Sequence, residues 1–123
     1  MIRLTVRTLP TSTNMLERMH WAVKRRMRQG LAWELRAALA DIDLTPAPLI
    51  ESPKPGKRRV SITIYRPRRL DPDNCAGGLK PLLDAMRDVG LIRNDSPRWL
   101  ELAIDQRIEK VDCRTEITLE EMA

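Results

Sequence analysis

The sequence predicts an α/β fold of the α+β kind, in which a small mixed sheet is covered by two helices. The chain has 123 residues, which is enough to bury a core without metal or disulfide staples and too few for two separate domains. Segments in which apolar and polar residues alternate are interleaved with segments of helical periodicity. The predicted order is β-α-β-α-β-β, in one domain that spans residues 1–123.

The first two predicted elements are a strand and a long helix. The strand is indicated by apolar residues at alternate positions: Ile2, Leu4 and Val6. From residue 14 to residue 41 an apolar side chain recurs every four positions, which predicts one amphipathic helix. Its apolar stripe consists of Met15, Met19, Val23, Met27, Leu31, Leu35 and Leu39. A proline-rich loop is predicted over residues 44–56.

A second strand, a second helix and two final strands complete the predicted fold. The second strand is indicated by Val60, Ile62 and Ile64. The second helix is predicted over residues 78–89, because Pro81 fits only a first helical turn and Gly90 is suited to end the helix. Residues 99–107 and 115–119 are predicted as the last two strands.

The composition excludes several kinds of site. Cys75 and Cys113 are isolated cysteines and His20 is the only histidine, so one chain cannot assemble a zinc site or a disulfide framework. A bound metal is therefore expected on oxygen ligands, which favours Mg²⁺, with Mn²⁺ as a substitute. No apolar run approaches the roughly 20 residues of a membrane span. We expect a soluble, cytoplasmic protein with no membrane partner and no organic cofactor.

Positive charge is concentrated in the first part of the chain. Residues 1–69 hold 15 Lys+Arg and 5 Asp+Glu (+10), residues 70–123 hold 7 and 12 (−5), and the sum is the formal charge of +5. Two basic clusters are present: Arg18, Lys24, Arg25, Arg26 and Arg28 in the first helix, and Lys54, Lys57, Arg58, Arg59, Arg66, Arg68 and Arg69 around the second strand. Such clusters attract a polyanion, so nucleic acid is the expected partner. An ordinary solvated helix face and a basic loop remain the alternative.

Three aspartates form the main candidate site. Asp71 and Asp73 flank Pro72, and because the residue before a proline avoids the helical region, both are expected in an extended stretch with their carboxylates on the same side. Asp95 follows in the turn before the third strand. A divalent cation would convert the repulsion between such carboxylates into ligation. The alternative is a turn in which Asp73 or Asn74 caps the next helix.

Lys80 is the expected cationic partner of these aspartates. It is predicted in the first turn of the second helix, where a phosphate would meet both an ammonium group and the helix N-terminus. A surface lysine is the alternative, and Asp88, near the end of the same helix, is expected to be an ordinary surface residue. This set of three aspartates and one lysine suits phosphodiester hydrolysis. In that reaction a metal ion on the three aspartates would activate a water, and Lys80 would stabilise charge on the phosphate.

The stretch RLDPDNCAGGLKPLLDAM at residues 69–86, followed by GLIRNDSP at residues 90–97, resembles the RusA-type Holliday-junction resolvases (crossover junction endodeoxyribonucleases) of bacteria, phages and prophages. The resemblance covers about residues 60–105, with a weaker match over residues 9–14. It implies a homodimeric, Mg²⁺-dependent endonuclease that binds four-way DNA junctions and nicks two strands symmetrically in DNA recombination and repair.

The resemblance also implies roles for particular residues. The metal-binding and catalytic carboxylates of the family correspond to Asp71, Asp73 and Asp95, and its essential lysine to Lys80. Asp84 matches a recurrent helix acid without an assigned role. Two departures exist: Asn94 stands where members often have an acid, and the spacing from Asp73 to Lys80 is longer than in the shortest family pattern. Gly77 and Gly78 lie inside that spacing and are expected to let the backbone approach DNA closely.

Two other functions remain open at this level. One is a protein that binds junctions or other branched DNA without cleaving it, and the other is a nuclease of the same fold that acts on other branched DNA or flaps. In each case backbone phosphates are expected to contact the same basic residues, without readout of sequence: Lys24, Arg25, Arg28, Arg66, Arg68 and Arg69. Exposed parts of Trp21, Trp33 and Trp99 could line a dimer interface, but large aromatics in a chain without Phe are expected in the core.

Overall fold

The computed structural model describes residues 1–42 and 55–122. Within them, the strands are β1 (Ile2–Val6), β2 (Arg58–Arg66), β3 (Leu100–Ile108) and β4 (Arg114–Glu121). The helices are α1 (Thr13–Arg18), α2 (Trp21–Asp41), α3 (Pro72–Gly77) and α4 (Lys80–Val89). The α+β class is confirmed. The region predicted as one helix over residues 14–41 contains two, and α3 lies before the predicted second helix, where no helix was predicted. The predicted proline-rich loop falls mostly on residues 43–54, which lie outside the described residues, as does Lys54.

The four strands form one mixed sheet in the order β1-β4-β2-β3. β4 is antiparallel to both β1 and β2, whereas β2 and β3 run parallel. In the centre of the sheet Ile62 lies opposite Ile117 of β4 and Ile104 of β3. The buried face of the sheet packs with α2 and α4 in one apolar core. In the described part of the chain, the helices lack the length and apolar character that a membrane crossing requires.

The long helix predicted over residues 14–41 is interrupted near its start. Met19 has an extended backbone and ends α1. His20 then caps α2, because its Nδ1 accepts the backbone N–H of Ala22 at 3.1 Å. The apolar spacing of four residues continues across this break, so periodicity alone did not reveal it.

The interruption changes which apolar residues reach the core. Leu31, Leu35 and Leu39 in the second half of α2 are buried, as the stripe predicts, but Met15 and Val23 are exposed. Trp21 is 67% exposed and Trp33 is 74% exposed, so the prediction that the tryptophans are core residues is wrong for these two. Trp99 is half-buried, with the guanidinium carbon of Arg93 4.1 Å from its ring centre.

The structure confirms where the second predicted helix ends and corrects where it begins. α4 begins at Lys80, two residues later than predicted, with Pro81 in the first turn. Gly90 ends the helix with a φ of 87°, a left-handed conformation that glycine adopts without strain. The prediction that Lys80 occupies the first turn is therefore confirmed.

Candidate active site

Asp71 and Asp73 lie at the start of α3. Asp71 occupies the N-cap position with φ −57° and ψ 145°, as expected before a proline, and its side chain makes no capping hydrogen bond. Pro72 is the first helical residue and Asp73 lies in the first turn. The predicted extended stretch is therefore wrong beyond Asp71, because proline is well suited to the first position of a helix. The helix dipole favours negative charge at this position.

Gln106 of β3 holds the chain directly before Asp71. The N–H of Leu70 donates to Gln106 Oε1 at 2.9 Å, and Gln106 Nε2 donates to the carbonyl oxygen of Leu70 at 2.9 Å. Gln106 is buried, so this pair of hydrogen bonds fixes the entry to α3 in a region with little access to water. Sequence reasoning did not select Gln106, although it is the one polar residue among Leu102, Ile104, Gln106 and Ile108, which share a face of β3.

Replacing Gln106 with Met is expected to lower the free energy of unfolding by about 1–3 kcal/mol, because the partly buried backbone groups of Leu70 lose their partners. Urea denaturation followed by circular dichroism measures this change. Gln29→Met on the exposed face of α2 is the matched control and should have little effect. Equal midpoints for wild type and Gln106→Met would contradict the role given to this side chain.

The loop before α1 packs closely against the end of α3. The hydroxyl of Thr13 donates to the carbonyl oxygens of Asn74 at 3.2 Å and Asp73 at 3.4 Å. A Cβ on Gly78 would lie 1.6 Å from the carbonyl oxygen of Thr11, and one on Gly77 would lie 2.0 Å from Thr13 Oγ1. The chain itself therefore makes one close approach that these glycines permit, and the expectation that they let the backbone approach DNA closely stays a prediction.

Lys80 joins α4 to the turn that carries Asp95. Its Nζ lies 2.7 Å from Asp95 Oδ2 and 3.2 Å from Asp84 Oδ1. The hydrogen bond from Lys80 holds the pKa of Asp95 below its usual range, and the bond to Asp95 raises the pKa of Lys80. The turn itself is shaped by Asn94, whose side chain accepts the N–H of Ser96 at 3.0 Å. Asp95 and Lys80 are therefore charged at neutral pH and in direct contact.

Two surface cavities flank these residues. One, of about 260 Å³, lies between α2 and α4. Its lining consists of Leu16, Lys24, Arg25, Arg28, Lys80, Pro81 and Asp84. The other, of about 320 Å³, lies between α3 and β3, and both Asp73 and Asp105 line it together with Arg69. Asp105 was not singled out from the sequence, because its place beside Asp73 depends on how β3 packs against α3.

The structure places the three predicted carboxylates in separate surroundings. Asp95 contacts Lys80, Asp73 lines the cavity with Asp105, and Asp71 occupies the N-cap position of α3 without a capping hydrogen bond. Among residues 1–42 and 55–122, no three His, Cys, Asp or Glu side chains are grouped so that they could hold a metal ion. The donor atoms offered are all carboxylate oxygens, which is the chemistry that Mg²⁺ prefers. The metal site therefore stays a prediction.

Two of the six residues predicted to contact DNA form hydrogen bonds within the chain. Arg66 is only 7% exposed and donates to the carbonyl oxygen of Pro10 at 3.2 Å, and burial lowers its pKa. Arg28 makes two hydrogen bonds of 2.6 Å to Asp88, which ties α2 to α4 and shows that Asp88 is more than an ordinary surface residue. The other four predicted DNA contacts have exposed side chains: Lys24, Arg25, Arg68 and Arg69.

Comparison with protein-family models gives no match for this chain. Comparison with curated proteins gives none either. The candidate site is therefore interpreted from its own residues and from the sequence resemblance described above.

Proposed function

We propose that this protein is a RusA-type, Mg²⁺-dependent DNA endonuclease that resolves four-way junctions by paired, symmetric nicks. The observation that carries the proposal is the contact of Lys80 with Asp95 at 2.7 Å, beside a cavity whose opposite wall is basic. These two residues are 15 positions apart, with Lys80 at the start of α4 and Asp95 in the turn between α4 and β3. Both were selected from the sequence for their chemistry.

The basic wall of this cavity supports a polyanionic substrate. Lys24 and Arg25 of α2 line it together with Lys80, so a DNA phosphate seated there would meet three cations. Arg68 and Arg69, just before α3, are two further exposed cations. Contacts of this kind hold the DNA backbone without reading its sequence.

Two candidate nucleophiles among the described residues, His20 and Cys75, are poorly suited to covalent catalysis. His20 uses Nδ1 to cap α2. Cys75 is buried, and its burial raises the pKa of the thiol, which disfavours the reactive thiolate. Direct attack on the phosphodiester by water therefore fits the described residues better than attack by a side chain.

Asp71, Asp73 and Asp95 are the residues that would hold Mg²⁺. The metal supplies activation of the attacking water and neutralisation of charge on the phosphate oxygens. Mg²⁺ commonly takes one or two protein carboxylates, with water and substrate phosphate completing its shell, so a preassembled group of three is not required. Lys80 would stabilise the same developing charge, and its contacts with Asp95 and Asp84 hold the ammonium group in place.

Cleavage by the wild-type protein tests this proposal. We expect a labelled four-way junction to be nicked in both of two opposed strands with Mg²⁺, at least about 10³-fold faster than with EDTA. Plain duplex should be cut far more slowly, and a flap substrate distinguishes the junction resolvase from a nuclease for other branched DNA.

A gel shift in EDTA provides the binding control for this experiment. Tight binding of the junction with no cleavage under Mg²⁺ or Mn²⁺ would overturn the enzyme proposal. It would favour the second candidate, a non-catalytic protein that binds branched DNA, for which the exposed cations of α2 are the supporting observation.

A further inference from the structure

The edge strand β3 presents an apolar surface that the helices leave uncovered. Leu102 and Ile104 are each 36% exposed, and Ile108 is 59% exposed. Their neighbours on the same face of the sheet, Val60 and Ile62 of β2, are fully buried. The helical layer therefore covers β2 but covers β3 only at Leu100 and Gln106, which leaves the apolar side chains of Leu102, Ile104 and Ile108 partly exposed beside an open strand edge.

The backbone of β3 also directs hydrogen-bonding groups outwards. The carbonyl of Trp99 accepts from the N–H of Arg58, and the N–H of Glu109 donates to the carbonyl of Arg66. The backbone N–H and C=O groups of the odd-numbered residues of β3 therefore point towards β2. Because the direction alternates along a strand, the N–H and C=O groups of residues 102, 104 and 106 point to the free edge.

We propose that β3 pairs antiparallel with β3 of a second copy of this chain, about a two-fold axis that passes beside Ile104. β3 runs from Leu100 to Ile108, so Ile104 is its central residue and the whole strand can pair with itself. In this register Ile104 lies opposite its own symmetry mate and Leu102 lies opposite Gln106 of the second copy. These even-numbered residues are the ones whose backbone groups point outwards, which is the condition for a hydrogen-bonded pair.

Charge on the opposite face of β3 supports the same register. Glu101 lies opposite Arg107 of the second copy, and the symmetry produces this attractive contact twice. A slip of two residues in one direction places Glu101 opposite Asp105, and a slip in the other direction places it opposite Glu109. Both slips bring like charges together, so charge favours the register centred on Ile104 over the two registers next to it.

One hydrogen bond within the chain must open when the strands pair. Asp105 Oδ1 accepts the outward N–H of Gln106 at 2.9 Å. A carbonyl of the second copy would replace this carboxylate oxygen, which leaves Asp105 beside Ala103 of the partner strand. The exchange keeps the N–H of Gln106 bonded in both states.

The proposed interface adjoins the acidic part of the candidate site. Ile104, Asp105 and Gln106 line the cavity that contains Asp73, so pairing through β3 would bring the two copies of that cavity to one interface. In a symmetric dimer this arrangement would provide two cleavage sites. That interpretation rests on the proposed function, whereas the geometry of the pairing does not.

Charge exchange across the interface tests the pairing, with mass measured by sedimentation equilibrium. The wild type should sediment as a dimer of the 14.2 kDa chain. Glu101→Arg and Arg107→Glu should each raise the dimer dissociation constant at least about tenfold, since each creates two like-charge contacts. The double variant restores opposite charges and should return the constant towards the wild-type value. Arg3→Glu, on the other edge strand β1, is the matched control and should leave it unchanged.

Three results would overturn this inference: a wild type that is monomeric at about 100 μM, single variants that dimerise as tightly as the wild type, or a double variant as weak as the singles. Circular dichroism of each variant establishes that it folds. Cleavage is measured separately on the same samples. A dimer with the expected charge response but no nuclease activity would support the pairing and overturn the proposed function. A monomer that cleaves the junction would support the nuclease activity and overturn the pairing.

Discussion

Asp73→Asn is expected to reduce the rate of junction cleavage by at least about 10²–10³-fold while leaving junction binding nearly unchanged. The substitution keeps the shape of the side chain in the first turn of α3 and removes the negative charge that would attract Mg²⁺. Under the proposed function, binding depends on the cations of α2 and of residues 68–69, which the substitution does not alter. Single-turnover rates on a labelled junction, with a gel shift in EDTA, measure the two effects separately.

Asp41→Asn, at the exposed end of α2, is the matched control for this prediction, because it removes the same charge away from the candidate site. Its cleavage rate should equal that of the wild type. If Asp73→Asn cleaves at the wild-type rate, Asp73 is not part of the reaction. If it loses binding and cleavage in proportion, the carboxylate contributes to DNA recognition or to folding, and its catalytic assignment is wrong.

The strands and α4 could be predicted well because their signals are local. Alternation within β2 and β4 placed these strands to within a few residues, and Pro81 and Gly90 marked the two ends of α4. Burial on one face of a strand and the conformational limits of proline and glycine act over a few residues, so one sequence is sufficient to read them.

The break between α1 and α2 could not be predicted from the same kind of pattern. The apolar spacing runs through Met19 and His20 without a gap, and histidine is not among the usual N-cap residues. Trp21 and Trp33 show a related limit. Their hydrophobicity predicts burial, but the direction in which they point depends on where α2 begins and on what packs against it.

The candidate site was predicted in its residues and only partly in its geometry. Lys80 begins α4 and Asp95 lies beyond its end, so the helix alone would separate them by about 15 Å. Their contact depends on the chain after Gly90 running back along α4, which no local pattern indicates. The anchoring of Leu70 by Gln106 spans 36 positions and depends on the packing of α3 against β3. Pro72 was read through its effect on the preceding residue, whereas its own suitability for starting a helix decided the structure.

Gly78→Ala is expected to lower the free energy of unfolding by about 3 kcal/mol or more, which is a large share of the stability of a small domain. The added Cβ would lie 1.6 Å from the carbonyl oxygen of Thr11 and 3.2 Å from that of Asn74. Backbone atoms cannot rotate away as a flexible side chain can, so the loop before α1 must separate from α3. The backbone of Gly78 is right-handed helical, with φ −72°, and the cost therefore comes from the collision and not from strain in φ.

Gly30→Ala provides the matched control, since it makes the same chemical change in the interior of α2 with no atom within 4 Å of the new Cβ. It should raise the free energy of unfolding by about 0.5–1 kcal/mol, because alanine loses less conformational freedom in a helix than glycine does. Urea denaturation of both variants gives the comparison. If Gly78→Ala were as stable as the wild type, the loop before α1 would not pack against α3 as described. The support that this packing gives to Asp71 and Asp73 would then be lost with it.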